Sequence, residues 1–174
     1  MKATLLKYGP AAFISMLVLF ALGLIVGQNL DYSTQEIVGY LTMILSLSLV
    51  YFAIRHYRDR ENDGQLTFGR GMAIGMIISA CAGFGIAIAD AFYTTVINPN
   101  FVTEFTDREL SRLKADLPAE EYEAAAATLM EQINMMGSPL ALAALMFVTV
   151  LLLGLMVSLI SSLVLRNTDK QVSA

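Results

Sequence analysis

Four long uncharged stretches alternate with polar breaks along the chain: Tyr8 to Leu30, Ile37 to Ile54, Gly71 to Ala89, and Gln132 to Leu165. A helix needs about 20 apolar residues to cross the roughly 30 Å hydrocarbon core of a bilayer, and each stretch meets or approaches that length. With the turn signals at their ends, the predicted spans are 8–30, 37–56, 68–97 and 138–165. Span one starts at Gly9-Pro10, where a proline in the first turn is tolerated, and ends near Gly27-Gln28-Asn29. Residues 57–67 form a polar loop with Asn62-Asp63-Gly64 at its tip and Thr67 placed to cap span three.

Between spans three and four the periodicity changes. Asn98-Pro99 breaks the helix, and 104–136 reads as two amphipathic helices in series. Thr106 followed by Glu109 has the spacing of a capping box, with Leu110, Leu113 and Leu117 on one face. Pro118 opens a second helix, on which Tyr122, Ala126, Leu129, Ile133 and Met136 recur at heptad-like spacing before Gly137 and Pro139 stop it. Two short helices bury too little surface to stand alone, so this stripe is expected to be covered. The expected fold is an all-α membrane protein: one membrane domain, a four-transmembrane-helix bundle, with an extracytoplasmic amphipathic helical hairpin between helices three and four.

Charge adds an orientation. Only 15% of the residues are charged, against about 25% in an ordinary soluble domain. Lys2, Lys7, Arg55, Arg58, Arg60, Arg70, Arg166 and Lys170 fall at the ends and in the loop between spans two and three. These segments carry eight bases and four acids, whereas the other two loops carry three bases and ten acids. The positive-inside bias then places both termini and the loop 57–67 in the cytoplasm. The acidic outer segment makes nucleic acid an unsuitable partner. Lys2 and Lys7 before an apolar run also suit a leader, but the run is too long for one and lacks a small-residue cleavage site, so a retained first span is expected. Tyr8, Tyr32, Tyr57 and Tyr93 supply the aromatic belt in a chain with no tryptophan.

Candidate chemistry is sparse. Gly71, Gly75, Ser79 and Gly83 recur every four residues on span three. Such spacing lets two helix backbones approach in lipid, either between two copies or within one bundle. Gly23 and Gly27 repeat the device on span one, and Gly154, Ser158 and Ser162 on span four. Asp90 is the one acid embedded in apolar sequence. An intramembrane acid is a candidate proton or cation site, although near the end of its helix it would instead be hydrated at the rim. Asp59, Glu61 and Asp63 before Gly64 imitate the start of a calcium loop, but Arg70 stands where the closing glutamate is needed. His56 is the single histidine and Cys81 the single cysteine. Both read as interfacial or packing residues. Ser158, Ser161 and Ser162 read as interhelical hydrogen-bond donors. Phosphate-cradling loops, zinc spacings and nucleophile elbows are all missing, so no catalytic, cofactor or metal site is expected.

Ile54-Arg55-His56-Tyr57-Arg58-Asp59, then Gly64-Gln65-Leu66-Thr67-Phe68-Gly69-Arg70 leading to Gly75, resembles the signature of the domain-of-unknown-function family numbered 4199. Tyr93 through Asn98-Pro99-Asn100-Phe101 is similar to that family as well. The resemblance implies a small bacterial inner-membrane protein and carries no activity. In physical terms Arg55, Arg58 and Arg70 are suited to anionic headgroups, or to pairing with Asp59 and Glu61. The first expectation is a non-enzymatic accessory or scaffold protein that touches the lipid bilayer and presents its acidic outer segment to a membrane-protein partner. The alternative is a small transporter or channel, homodimeric through the glycines of span three, with Asp90 as its coupling group.

Overall fold

A computed structural model describes residues 1–27 and 30–166. The break at Gln28-Asn29, the tail charges Asp169 and Lys170, and the side chain of Tyr32 lie outside the described residues. All regular structure among the described residues is helical. Its order is α1 (Lys2–Gly27), α2 (Tyr32–His56), a π-helical turn (Tyr57–Glu61), α3 (Phe68–Phe92), a second π-helical turn (Tyr93–Ile97), α4 (Phe101–Asp116), α5 (Ala119–Met136) and α6 (Pro139–Leu165). Four segments are long and apolar enough to cross a membrane: Lys2–Gly27, Ser33–Glu61, Phe68–Ile97 and Pro139–Leu165. The chain is thus a transmembrane helical protein.

The chain divides into two compact units. One comprises Met1–Ile86 and the chain from Phe147 onward, the other Ala87–Met146.

In the first unit α1 and α2 run antiparallel. Gly27 lies beside Gln35 and Gly23 beside Thr42, the Ser15 and Ser46 hydroxyls share a hydrogen bond of 2.7 Å, and Thr4 meets His56. Ala12, Met16, Leu47, Val50, Ile74, Ile78 and Val150 form the fully enclosed core. Leu22, Leu41, Ile44, Leu152 and Leu163 face outward, as lipid-facing positions do. Lipid is as apolar as leucine, so helices gain by fitting closely and not by hiding greasy surface from each other.

Two expectations need correcting. Helix α1 begins at Lys2, so Pro10 lies inside it and not in its first turn. Proline has no N–H for the Leu6 carbonyl, which membrane helices tolerate when their surroundings compensate. Helix α4 begins at Phe101, ahead of the Thr106 capping box. The Thr106 hydroxyl instead donates back to the Val102 carbonyl at 2.7 Å within the helix. Phe101 sits edge-on to Tyr93 with centroids 5.8 Å apart, and this contact brings the helix start forward.

In the second unit α4 and α5 pack on each other, with Val102 3.3 Å from where a Cβ on Gly137 would lie. Neither helix contains a fully buried residue. Leu110, Leu113, Leu117, Tyr122 and Ile133 are half-buried, and Met136 is exposed. Pro118 accepts the N–H groups of Glu121 and Tyr122, which starts α5.

Asp31 caps α2. Its carboxylate accepts the Thr34 N–H at 3.0 Å and the Thr34 hydroxyl at 2.7 Å, and these bonds, led by the hydroxyl, hold its pKa below the ordinary 3.8. A lowered carboxylate pKa stabilises the helix start above about pH 4, and the effect is lost as pH falls through the folded value. Asp31→Ala is expected to speed amide exchange at Thr34 and Gln35 at neutral pH and to leave exchange unchanged below the folded pKa. Hydrogen-exchange mass spectrometry would read both arms.

Candidate functional site

The small residues of α3 and α6 form one seam. A Cβ added to Gly71 would lie 2.5 Å from Ser162 Oγ, one on Gly75 would overlap Ser158, and one on Gly154 would overlap Ser79. Each step of four along α3 is matched by a step of four backwards along α6. The two helices therefore run antiparallel, with glycine facing serine at every level. At the far end a Cβ on Gly83 would lie 2.8 Å from the Phe147 ring, which also packs against Phe84 at 4.8 Å between centroids. The seam hydroxyls turn back on their own helices: Ser79 donates to the Gly75 carbonyl at 2.8 Å and Ser158 to the Gly154 carbonyl at 2.6 Å. Such bonds satisfy the serines without demanding a partner across the seam. Ser162 Oγ is buried with no partner. The face bearing Gly71, Gly75, Ser79 and Gly83 is occupied within the chain.

Helix α1 joins α3 by similar means. A Cβ on Gly85 would lie 2.7 Å from the Phe13 carbonyl oxygen, and one on Gly9 would lie 3.3 Å from Cys81 Sγ. The half-buried Cys81 is a packing neighbour here.

The loop after α2 is held by its own side chains. Asp63 and Gly64 both have positive φ, at 48° and 78°, and Gln65 N–H donates to the Asn62 carbonyl at 2.8 Å. Positive φ at both central positions marks a type I′ turn, for which an aspartate–glycine pair is well suited. Asp59 takes Arg58 at 2.6 Å and Arg55 at 3.4 Å. Arg70 donates to the Tyr57 hydroxyl at 3.3 Å and to Asn62 Oδ1 at 3.2 Å. The three arginines named from the sequence thus lie in and on either side of one loop, but Arg70 has different partners from the other two.

Glu61 goes elsewhere. Its carboxylate accepts the Thr4 N–H at 2.6 Å and also binds the Thr4 hydroxyl and the Met1 ammonium. The first N–H groups of a helix have no partner within it and carry the positive end of its dipole. A carboxylate from the end of the π-helical turn after α2 therefore caps α1 across 57 residues of chain. Thr4 Oγ lies 3.1 Å from His56 Nδ1, and the His56 ring sits edge-on to Tyr8 at 5.4 Å. The sequence offered Glu61 as an arginine partner or part of a calcium-like loop. Asp59 and Glu61 have separate commitments, so the alternating acids do not converge.

Asp90 lies in the last turns of α3, directly before the π-helical turn. It is 7% exposed, and its Oδ2 is buried without a hydrogen-bond partner. The buried Thr94 donates its hydroxyl to the Asp90 carbonyl at 2.9 Å, and Thr95 donates to the Ala91 carbonyl at 2.6 Å. Asn98 N–H reaches back five residues to the Tyr93 carbonyl at 2.7 Å. Wide turns of this kind recur at functional positions in helices. The sequence left open whether this carboxylate is hydrated at the rim or held inside; in the structure little of the residue is exposed and Oδ2 is buried.

No curated protein and no solved structure significantly matches the chain. The sequence model of the family described as "Protein of unknown function (DUF4199)" matches residues 7–167, spanning the seam, the arginine loop and Asp90, and the chain therefore belongs to that family.

Proposed function

We propose that this chain is a non-enzymatic accessory or scaffold protein of the bacterial inner membrane, with both termini in the cytoplasm and α4–α5 outside. The arginines around the 57–67 loop support that orientation, since basic residues next to spans favour the cytoplasmic side and its anionic headgroups. The surface of α5 carries the functional reading. Glu120, Glu121, Glu123 and Glu131 are all exposed, and the helix has no basic residue. Met130, Met135 and Met136 are exposed as well, Met135 at 74%. Methionine adapts to irregular partner surfaces, and an unneutralised acidic helix favours a basic one. The partner is a membrane protein that presents lysines or arginines just beyond the bilayer.

Crosslinking in intact membranes followed by affinity recovery of the full chain tests this. A second protein is expected with the wild type, recovered less well at high salt, which screens exposed charges. The triple change Glu120→Lys, Glu121→Lys, Glu123→Lys is expected to abolish its recovery while leaving the chain folded, because all three side chains are exposed. Recovery of the uncrosslinked chain alone would sink the proposal.

A further inference from the structure

Asp90 has no charged partner among the described ion pairs. Its own helix carries no other charge after Arg70, and α6 carries none at all. The residue is 7% exposed and its Oδ2 is buried without a partner. A bare carboxylate held this way inside a membrane span is strongly disfavoured, and enclosed intramembrane acids acquire a counter-charge. A divalent metal ion held by side chains draws on several charged or imidazole ligands, and among the described residues no group of three His, Cys, Asp or Glu side chains gathers around it; a proton needs no further ligand. A single carboxyl balances a single proton.

We propose that Asp90 is a proton-binding site inside the third span, its carboxyl held as the neutral acid. The two threonines just beyond it support the geometry. Their hydroxyls bond the Asp90 and Ala91 carbonyls, so the backbone stays satisfied where the helix widens, and the acid keeps its enclosed position. The site is independent of whatever α5 binds.

A hydrophobic carbodiimide, dicyclohexylcarbodiimide, reacts with neutral carboxylic acids in apolar surroundings. It is applied to the full chain in liposomes at neutral pH, and the peptides are mapped by mass spectrometry. The expected result is an N-acylurea adduct at Asp90 that is lost in Asp90→Asn, with the exposed acids of α5 unmodified. Added sodium or potassium chloride is expected to leave the adduct undiminished. Protection by either salt would identify a metal-cation site and overturn the proposal. Infrared spectroscopy supplies a readout that does not depend on reagent access. The carbonyl band of a neutral carboxylic acid should be present in the wild type and missing in Asp90→Asn, whose amide keeps the shape of the protonated acid. No such band in the wild type overturns the proposal whatever the labelling shows.

Discussion

Gly75→Leu is expected to destabilise the protein more than any other single change in its membrane-spanning part. A Cβ alone at this position overlaps Ser158 and lies 3.2 Å from Val50 Cγ1, so a leucine has no empty volume to enter on either side. Overpacking a tight core costs about 1–3 kcal/mol and sometimes more, and here α3 must be pushed away from α6. In lipid little else replaces that contact, because association depends on close fit. Thermal unfolding of the purified protein in detergent should show the loss. The seam makes a sharper test possible. Gly75→Ala should be damaging alone and largely rescued by Ser158→Gly, which returns the space from the opposite helix. Gly39 on α2 provides the contrast, since nothing lies within 4 Å of a Cβ placed there. Gly39→Ala should be neutral or stabilising by up to about 1 kcal/mol through helix propensity. Equal behaviour of Gly39→Ala and Gly75→Ala would mean that α3 and α6 do not meet at this face.

Glu61→Ala is the second large effect. Thr4 is completely buried, and its N–H belongs to the first turn of α1, where no backbone carbonyl of the helix can accept it. Removing Glu61 strands that donor and takes away one partner of the hydroxyl. A buried polar group left unsatisfied costs about 1–3 kcal/mol. The α1 terminus should loosen from the end of α2, with faster amide exchange through Thr4 and Leu5. Glu61→Gln keeps an acceptor oxygen and should lose less. A double-mutant cycle of Glu61→Ala with Thr4→Val separates the contact from general damage. The two changes should be clearly non-additive, because they remove the same interaction. Strict additivity would show that the contact adds nothing to stability.

The length and apolarity of the spans were legible because a bilayer imposes a single requirement on any stretch that crosses it. The turn at Asp63-Gly64 was legible too, since few residues accept positive φ. So was the start of α5 at Pro118. The start of α4 was not. The Thr106–Glu109 pattern is a local signal, and it was overridden by Phe101 packing on Tyr93. The start of α1 was missed for a related reason. Its cap comes from Glu61, and neighbouring residues carry no trace of so distant a partner.

The candidate sites divide along the same line. The sequence singled out Asp90, the loop arginines and the small-residue stripe, because charge is costly in lipid and side-chain size is an attribute of the residue itself. Pattern alone left open whether the stripe met a second copy or another helix of the same chain. Only the tertiary structure matched Gly71 to Ser162, Gly75 to Ser158 and Ser79 to Gly154, because register belongs to two helices together. Only the tertiary structure buried Oδ2 of Asp90 and brought Glu61 to Thr4. Burial and pairing depend on what arrives from elsewhere in the chain, whereas hydropathy is carried by each residue on its own.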